Sequence, residues 1–173
     1  MEKVEKVEEV EEVAVRIVPA TPDHVPVILR MIKGLAEYEQ LSHEVVATEE
    51  SLRTALFGAR PAAEVVLAYA GQEPIGFALY FHNFSTFLGR AGLYLEDLFV
   101  VPSWRGRGIG RKLLGHVASV AVERACGRME WCVLDWNESA IGFYRRLGAR
   151  LLDDWRICRL TGDALSRAAA ADA

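Results

Sequence analysis

The sequence predicts a mixed α/β sheet, mostly antiparallel, with helices on both faces and one parallel strand–helix–strand crossover. Three observations carry that prediction. From Leu93 to Leu134 the chain reads as a strand, a glycine-rich turn, a long apolar helix and an apolar strand, and such a unit closes as a right-handed parallel crossover. Two β-prone runs, Glu64 to Ala70 and Ile75 to Phe81, flank Gly71-Gln72-Glu73-Pro74, a hairpin signal that makes the other half of the sheet antiparallel. The remaining periodic segments are helical, so the order is strand, helix, helix, hairpin, strand, helix, strand, helix, strand, helix.

Residues 1–12 hold six Glu and two Lys with valine at every third position. A helical stripe alternates spacings of three and four, so this is a charged, solvated arm, ahead of a single domain over residues 13–173. The arm accounts for the whole net charge of −4, which leaves the rest of the chain neutral and argues against a nucleic-acid binder of globally basic character. No apolar run approaches the ~18 residues of a membrane span, and no signal peptide is evident. Three cysteines without a Cys-x-x-Cys pair lead us to expect reduced thiols and a cytoplasmic address.

Ala14 to Pro19 is a first strand. Thr21 offers a helix cap with Pro22 behind it, and Val25, Ile28, Leu29, Ile32, Leu35 and Ala36 trace one face down to Tyr38. Pro26 lacks the N–H for an early helical bond, so a late start or irregular first turn is expected. Thr48 caps a second helix (Leu52, Ala55, Leu56) that Gly58 ends. His82 to Gly92 shows no clear period and fits either a loop or a bulged continuation of the hairpin. Leu93 to Val101 is the next strand. Beyond Gly110, Leu113, Leu114, Val117, Ala118, Val120 and Ala121 give an apolar face too broad for an exposed helix. Met129 to Leu134 is apolar at nearly every position, as a strand covered on both faces should be. Asn137 caps another helix (Ile141, Phe143, Tyr144, Leu147) that stops at Gly148. A strand over Arg156 to Leu160 and an alanine-rich helix behind Asp163 end the chain.

The chemistry gathers in Tyr94 to Lys112. Gly106, Gly108 and Gly110 let backbone approach a ligand, the first helical N–H groups behind them are unpaired, and Arg105, Arg107, Arg111 and Lys112 add full charge. That is a seat for a phosphate or pyrophosphate. Upstream, Glu96 and Asp97 interrupt an apolar strand. Neighbours on a regular strand face opposite ways, and a buried unpaired carboxylate costs several kcal/mol, so each acid needs a partner or a wet cleft. The dinucleotide fingerprint fails because Arg111 stands at its last glycine position, and no Gly-Lys-Ser/Thr completes a P-loop. The histidines (His24, His43, His82, His116) have no metal-ligand spacing, so no metal is expected. No Ser-His-Asp or Cys-His set is evident.

What fits is Arg-x-x-Gly-x-Gly (Arg105 to Gly110) with a helix beginning inside the motif, which resembles the acetyl-CoA seat of the GNAT N-acetyltransferase superfamily. The resemblance is to the diamine, or spermidine/spermine, N-acetyltransferase branch and covers roughly Arg16 to Leu165. It rests on Arg-x-x-Pro-Ala-Thr (Arg16 to Thr21), Leu-Ala-Glu-Tyr-Glu (Leu35 to Glu39), Gly-Phe-Ala-Leu-Tyr (Gly76 to Tyr80) and Leu-Tyr-Leu-Glu-Asp-Leu-Phe-Val (Leu93 to Val100). After the glycine turn follows Asp-Trp-Asn-Glu-x-x-Ile-x-Phe-Tyr-x-Arg-x-Gly-Ala (Asp135 to Ala149). The resemblance implies a GNAT-like sheet, acetyl-CoA as co-substrate, a small amine as acceptor and a homodimer. It implies Glu96 as general base and Tyr144 as proton donor to the departing thiolate. Leu98, Phe99 and Val100 would pair with the pantetheine arm through main chain, Asn137 would touch that arm, and Gly106, Arg107, Gly108, Ile109, Gly110 and Arg111 with Arg105 would hold the pyrophosphate. Tyr38, Glu39, Glu96, Asp97, Glu130, Trp131 and Cys132 would line the acceptor. The polyamine enzymes carry an acid and a tryptophan after the hairpin. Here Ser85 and Phe87 stand nearest, which weakens the case for long polyamines and leaves shorter diamines, lysine-like amino acids and aryl-alkyl amines open.

Three functions compete. The first is an enzyme transferring acetyl to a small primary amine, with no nucleic-acid or membrane partner. The second is a protein or peptide N-acetyltransferase. The third is a non-catalytic acyl-CoA sensor, against which the presence of both Glu96 and Tyr144 speaks. A covalent route through Cys132 is disfavoured by the usual inertness of a buried thiol.

Overall fold

The computed structural model describes residues 14–170, and the charged arm expected over residues 1–12 lies outside them. The chain divides into two compact units, one ending at Cys132 and the other beginning at Val133. The first contains β1 (Val15–Pro19), α1 (Val25–Tyr38), α2 (Glu49–Phe57), β2 (Glu64–Ala70), β3 (Glu73–Ser85), β4 (Arg90–Val100), α3 (Ile109–Glu123) and β5 (Met129–Glu130). The second contains α4 (Glu138–Arg146) and α5 (Gly162–Ala170). The sheet order is β1-β2-β3-β4-β5, antiparallel throughout except for the parallel β4–β5 pair.

Local chemistry explains the helix starts. Pro22–His24 forms a single 3-10 turn before α1, and Pro26 falls in the first turn of α1, where a missing N–H removes no helical bond. The irregular start expected from Pro26 is thus present. Thr48 and Ser51 form a reciprocal cap on α2, with the Ser51 N–H on Thr48 Oγ1 at 3.1 Å and the Thr48 N–H on Ser51 Oγ at 2.9 Å.

Glycines set how closely the helices lie on the two sheet faces. A Cβ at Gly34 of α1 would come 3.0 Å from the Phe99 ring, while one at Gly76 of β3 would come 3.2 Å from Leu113 of α3. Phe77 pairs with Phe99 and Gly76 with Val100, so adjacent rungs point to different helices. α1 and α3 therefore cover opposite faces. The core on the α1 side is built from Ile28, Met31, Leu56, Leu67, Phe77 and Phe99. Each such side chain contributes roughly 1.5–3 kcal/mol by leaving water.

Three segments differ from the sequence expectation or resolve it. His82 to Gly92 is hairpin: β3 runs on to Ser85, residues 86–89 turn, and β4 begins at Arg90. The buried Ser85 hydroxyl accepts the Leu88 N–H at 3.3 Å, and Phe84 and Phe87 project into solvent, which is why no period marked the segment. The strand expected over Met129 to Leu134 pairs only at Met129 and Glu130, with Leu93 and Tyr94. Just beyond, β4 carries a bulge, and a bulged strand bends away from its neighbour. The strand expected over Arg156 to Leu160 is absent from the described residues; Trp155, Ile157 and Leu160 are 75%, 71% and 56% exposed. A β-prone run is a strand only when another strand takes its N–H and C=O groups, and none does so here.

Candidate active site

The ladder between β3 and β4 slips at one place. Leu79 pairs with Asp97 and the next rung is Tyr80 with Leu95, so Glu96 is the extra, unmatched residue of a bulge. This corrects the expectation that the two acids face opposite ways. Tyr94 and Asp97 are three apart in sequence, yet their partners Phe81 and Leu79 are two apart, so both lie on the α1 face. Glu96, two residues from Tyr94, shares that side by strand alternation. The extra residue thus puts two consecutive carboxylates on one face. Asp97 is pushed up to about 7, first by burial, then by the charges of Glu96 and Glu39.

Glu39 comes from the end of α1. Close packing at Gly34 seats the helix on Phe99, and one turn later the chain reaches Tyr38 and its C-cap Glu39. Burial raises the Glu39 carboxyl as well. Arg105 locks this end in place. Its guanidinium lies 4.2 Å from the Tyr38 ring centroid and 5.5 Å from that of Phe99, and its Nε donates to the Val100 carbonyl at 3.0 Å. Among the basic residues of the glycine turn, Arg105 is thus committed to holding α1 against β4.

The rest of the turn has the geometry of an anion seat. Gly106 and Gly108 both have φ +77, with nothing within 4 Å of an added Cβ, so only glycine adopts this backbone without strain. The Lys112 N–H bonds the Gly108 carbonyl at 3.0 Å as the first helical bond of α3, and the amides of Ile109, Gly110 and Arg111 precede it. Arg107 lies over the Trp104 ring at 4.7 Å, and Arg111 and Lys112 are exposed. Beside the turn, Leu98 and Val100 are half-buried and Phe99 is buried. Because β5 pairs only with Leu93 and Tyr94, the edge of β4 from Leu95 to Val100 has no strand partner among the described residues. An edge that no strand covers, with its Val100 carbonyl held by Arg105 Nε, and a glycine cradle at its end suit an extended ligand bearing a phosphate.

Beyond the bulge lies a polar cluster that sequence reasoning saw only in part. The Tyr94 hydroxyl lies 3.0 Å from Cys132 Sγ; burial, Cys132, Glu96 and Glu130 all raise its pKa. Cys132 is exposed, which overturns the argument from burial. Glu130 Oε2 receives the Arg128 Nε at 2.8 Å and the Asn83 Nδ2 at 3.2 Å. Asn83 and Arg128 were missed, because a contact reaching from β3 past β4 to the start of β5 leaves no local pattern. Trp131 is half-buried. In the second unit Asn137 caps α4, its Oδ1 accepting the Ala140 N–H at 3.2 Å. Tyr144 is buried, its ring 5.2 Å from that of Phe143. Among the described residues no group of three or more His, Cys, Asp or Glu could hold a metal ion, and no helix is long and apolar enough to cross a membrane.

The acetyltransferase (GNAT) family profile matches residues 32–149. A thialysine N-epsilon-acetyltransferase of Sus scrofa is 43% identical over 149 residues, covering 80% of this chain and 87% of the relative. An L-ornithine N5-acetyltransferase of Arabidopsis thaliana is 36% identical over 195 residues, covering 87% and 86%. Among solved structures, an integron cassette protein from the mobile metagenome of V. cholerae superposes with a TM-score of 0.75 at 28% identity, covering 90% of this chain and 97% of that one. The chain belongs to the acetyltransferase (GNAT) family and is an acetyl-transferring enzyme.

Proposed function

We propose that the protein transfers acetyl from acetyl-CoA to a primary amine of a small molecule, directly and without an acyl-enzyme. One observation carries the reading: the bulge at Glu96 gathers Glu96 and Asp97 on one face, within electrostatic reach of Glu39. Such a face attracts an ammonium and can take its proton, which the amine must lose before its lone pair can attack. The relatives that act on thialysine and ornithine support a small amine bearing its reactive group on a side chain.

Acetyl-CoA supplies the thioester. The amides of Ile109 to Arg111 with Gly106, Arg107 and Gly108 would hold its pyrophosphate, and the open edge of β4 at Leu98 to Val100 its pantetheine arm. In the reaction the amine nitrogen bonds the thioester carbonyl carbon, the C–S bond breaks, and the amine proton goes to Glu96. Tyr144 donates a proton to the leaving thiolate; that role rests on the family pattern around Asn137 to Gly148. Glu96→Gln should lower kcat by ~100-fold or more, flatten the rising limb of the pH–rate profile and leave the KM for acetyl-CoA unchanged. A specific observation favours a second reading, in which Asp97, titrating near 7, is the base. An unaltered profile in Glu96→Gln would transfer the role there.

A further inference from the structure

The carboxylate-lined face has an opposite pole. At its hairpin end Asn83 of β3 sits opposite Gly92 of β4. A Cβ at Gly92 would come 2.2 Å from Asn83 Oδ1 and 3.4 Å from Arg128 Cγ. The bare glycine is therefore the gap through which Asn83 and Arg128 meet, on the same face as Tyr94 and Asp97. Asn83 Nδ2 and Arg128 Nε converge on one oxygen of Glu130, at 3.2 Å and 2.8 Å, and Asn83 Oδ1 is left buried without a partner. A buried acceptor goes unsatisfied so that the amide can hold Glu130. Glu130 in turn engages the guanidinium through Nε, and no further bond to the guanidinium's Nη groups occurs among the described residues. The Arg128 side chain is 40% exposed, so this fixed fork is open to a ligand.

We propose that Arg128, oriented by Glu130 and Asn83, recognises a carboxylate on the acceptor. The favoured acceptor is then an amino acid with its reactive amine on the side chain, in preference to the plain diamine of the same length. This rests on the reading of the face as amine-acetylating. The dimensions agree. Gly92, level with Arg128, and Glu96 are four residues apart on β4, or about 13 Å. The Glu96 and Arg128 side chains share this face, and the five bonds from amine to carboxyl carbon in an ornithine-sized molecule span roughly 6 Å, a length that fits inside the interval. Charge agrees as well: Glu39, Glu96 and Asp97 take the ammonium end but repel a carboxylate, which needs a cation at the far end. A guanidinium offers a carboxylate two parallel hydrogen bonds. Arg90, two residues further out on β4, is exposed at the hairpin turn and lies beyond this span.

The test is steady-state acetyl transfer to L-ornithine and to 1,4-diaminobutane, its decarboxylated counterpart. The wild-type enzyme should prefer ornithine in kcat/KM by about tenfold or more. Arg128→Gln should raise the KM for ornithine by ~10- to 100-fold, with little change in kcat, and leave both the diamine kinetics and the KM for acetyl-CoA unchanged. Arg128→Lys should recover part of the loss, and Arg90→Gln should have no such selective effect. The unchanged acetyl-CoA KM reports that each variant is folded. Equal losses on both acceptors, or no wild-type preference, would overturn the carboxylate seat and leave amine acetylation standing. Binding of acetyl-CoA with transfer to neither amine would overturn both readings.

Discussion

At the scale of single residues, Asp97 is where structure and chemistry conflict most openly. Its carboxyl is held up to about 7 by burial and by two neighbouring acids. The folded state therefore binds this proton more tightly than the unfolded chain, whose aspartate titrates near 4. Below that value both states are protonated and nothing is lost. As pH rises from about 4 to about 7 the folded state loses stability relative to the unfolded one, and above 7 the loss is complete at about 4 kcal/mol. Asp97→Asn should thus unfold at higher urea than wild type at pH 8 and at nearly the same urea at pH 4. A gap between wild type and Asp97→Asn of the same size at both pH values would reject the burial of this charge. The same substitution should alter the activity limb near pH 7 if Asp97 must be ionised for the amine to bind or react. The sequence exposed the pair of acids but not this arrangement, because alternation predicts opposite faces and nothing in Leu95-Glu96-Asp97 announces an inserted residue. A bulge is a relation between two strands, legible only once Leu79 and Tyr80 stand opposite.

At the scale of elements, the site depends on α1 lying unusually close to β4. Gly34 makes that approach possible, since even one added carbon would press on the Phe99 ring at 3.0 Å. Gly34→Val gains helix propensity worth under ~1 kcal/mol but forces overpacking that costs about 1–3 kcal/mol, so destabilisation wins. The helix end should lift, drawing Glu39 away from Asp97 and Tyr38 from under Arg105. We expect a lower melting temperature and a higher KM for the amine with the KM for acetyl-CoA unaltered; wild-type amine kinetics would show that the α1 contact does not build the acceptor side. Much at this scale was legible. The Pro26 irregularity, the Thr48 cap, the hairpin at Gly71 and the glycine turn before α3 all follow from local chemistry. What failed were segments whose state depends on a partner: Met129 to Leu134, shortened where β4 bends, and Arg156 to Leu160, which finds no strand to pair with. The polar chain Asn83–Glu130–Arg128 was invisible for the same reason, its members coming from two strands and the approach to one of them.

At the scale of the whole molecule, net charge misleads. The −4 belongs to residues 1–12, and the remainder is formally neutral. That neutrality conceals two opposed local patches: the carboxylates Glu39, Glu96 and Asp97 on the α1 face, and Arg107, Arg111 and Lys112 around the glycine turn. Under the proposed function each patch would receive one substrate, an ammonium for the first and a phosphate-bearing acyl donor for the second. Fields of this kind act over a Debye length, about 30 Å at 0.01 M salt and 3 Å at 1 M. If local fields govern encounter, raising salt from 0.01 to 0.5 M should lower kcat/KM for both substrates, by up to about tenfold each. If the net charge governed it, salt would hinder the cationic amine but help the anionic donor, and deleting residues 1–12 would abolish both effects. We expect the opposite: both dependences fall in the same direction, and both persist in the shortened chain. A donor kcat/KM that rises with salt in the full chain would place the controlling charge in residues 1–12 and not in the glycine turn.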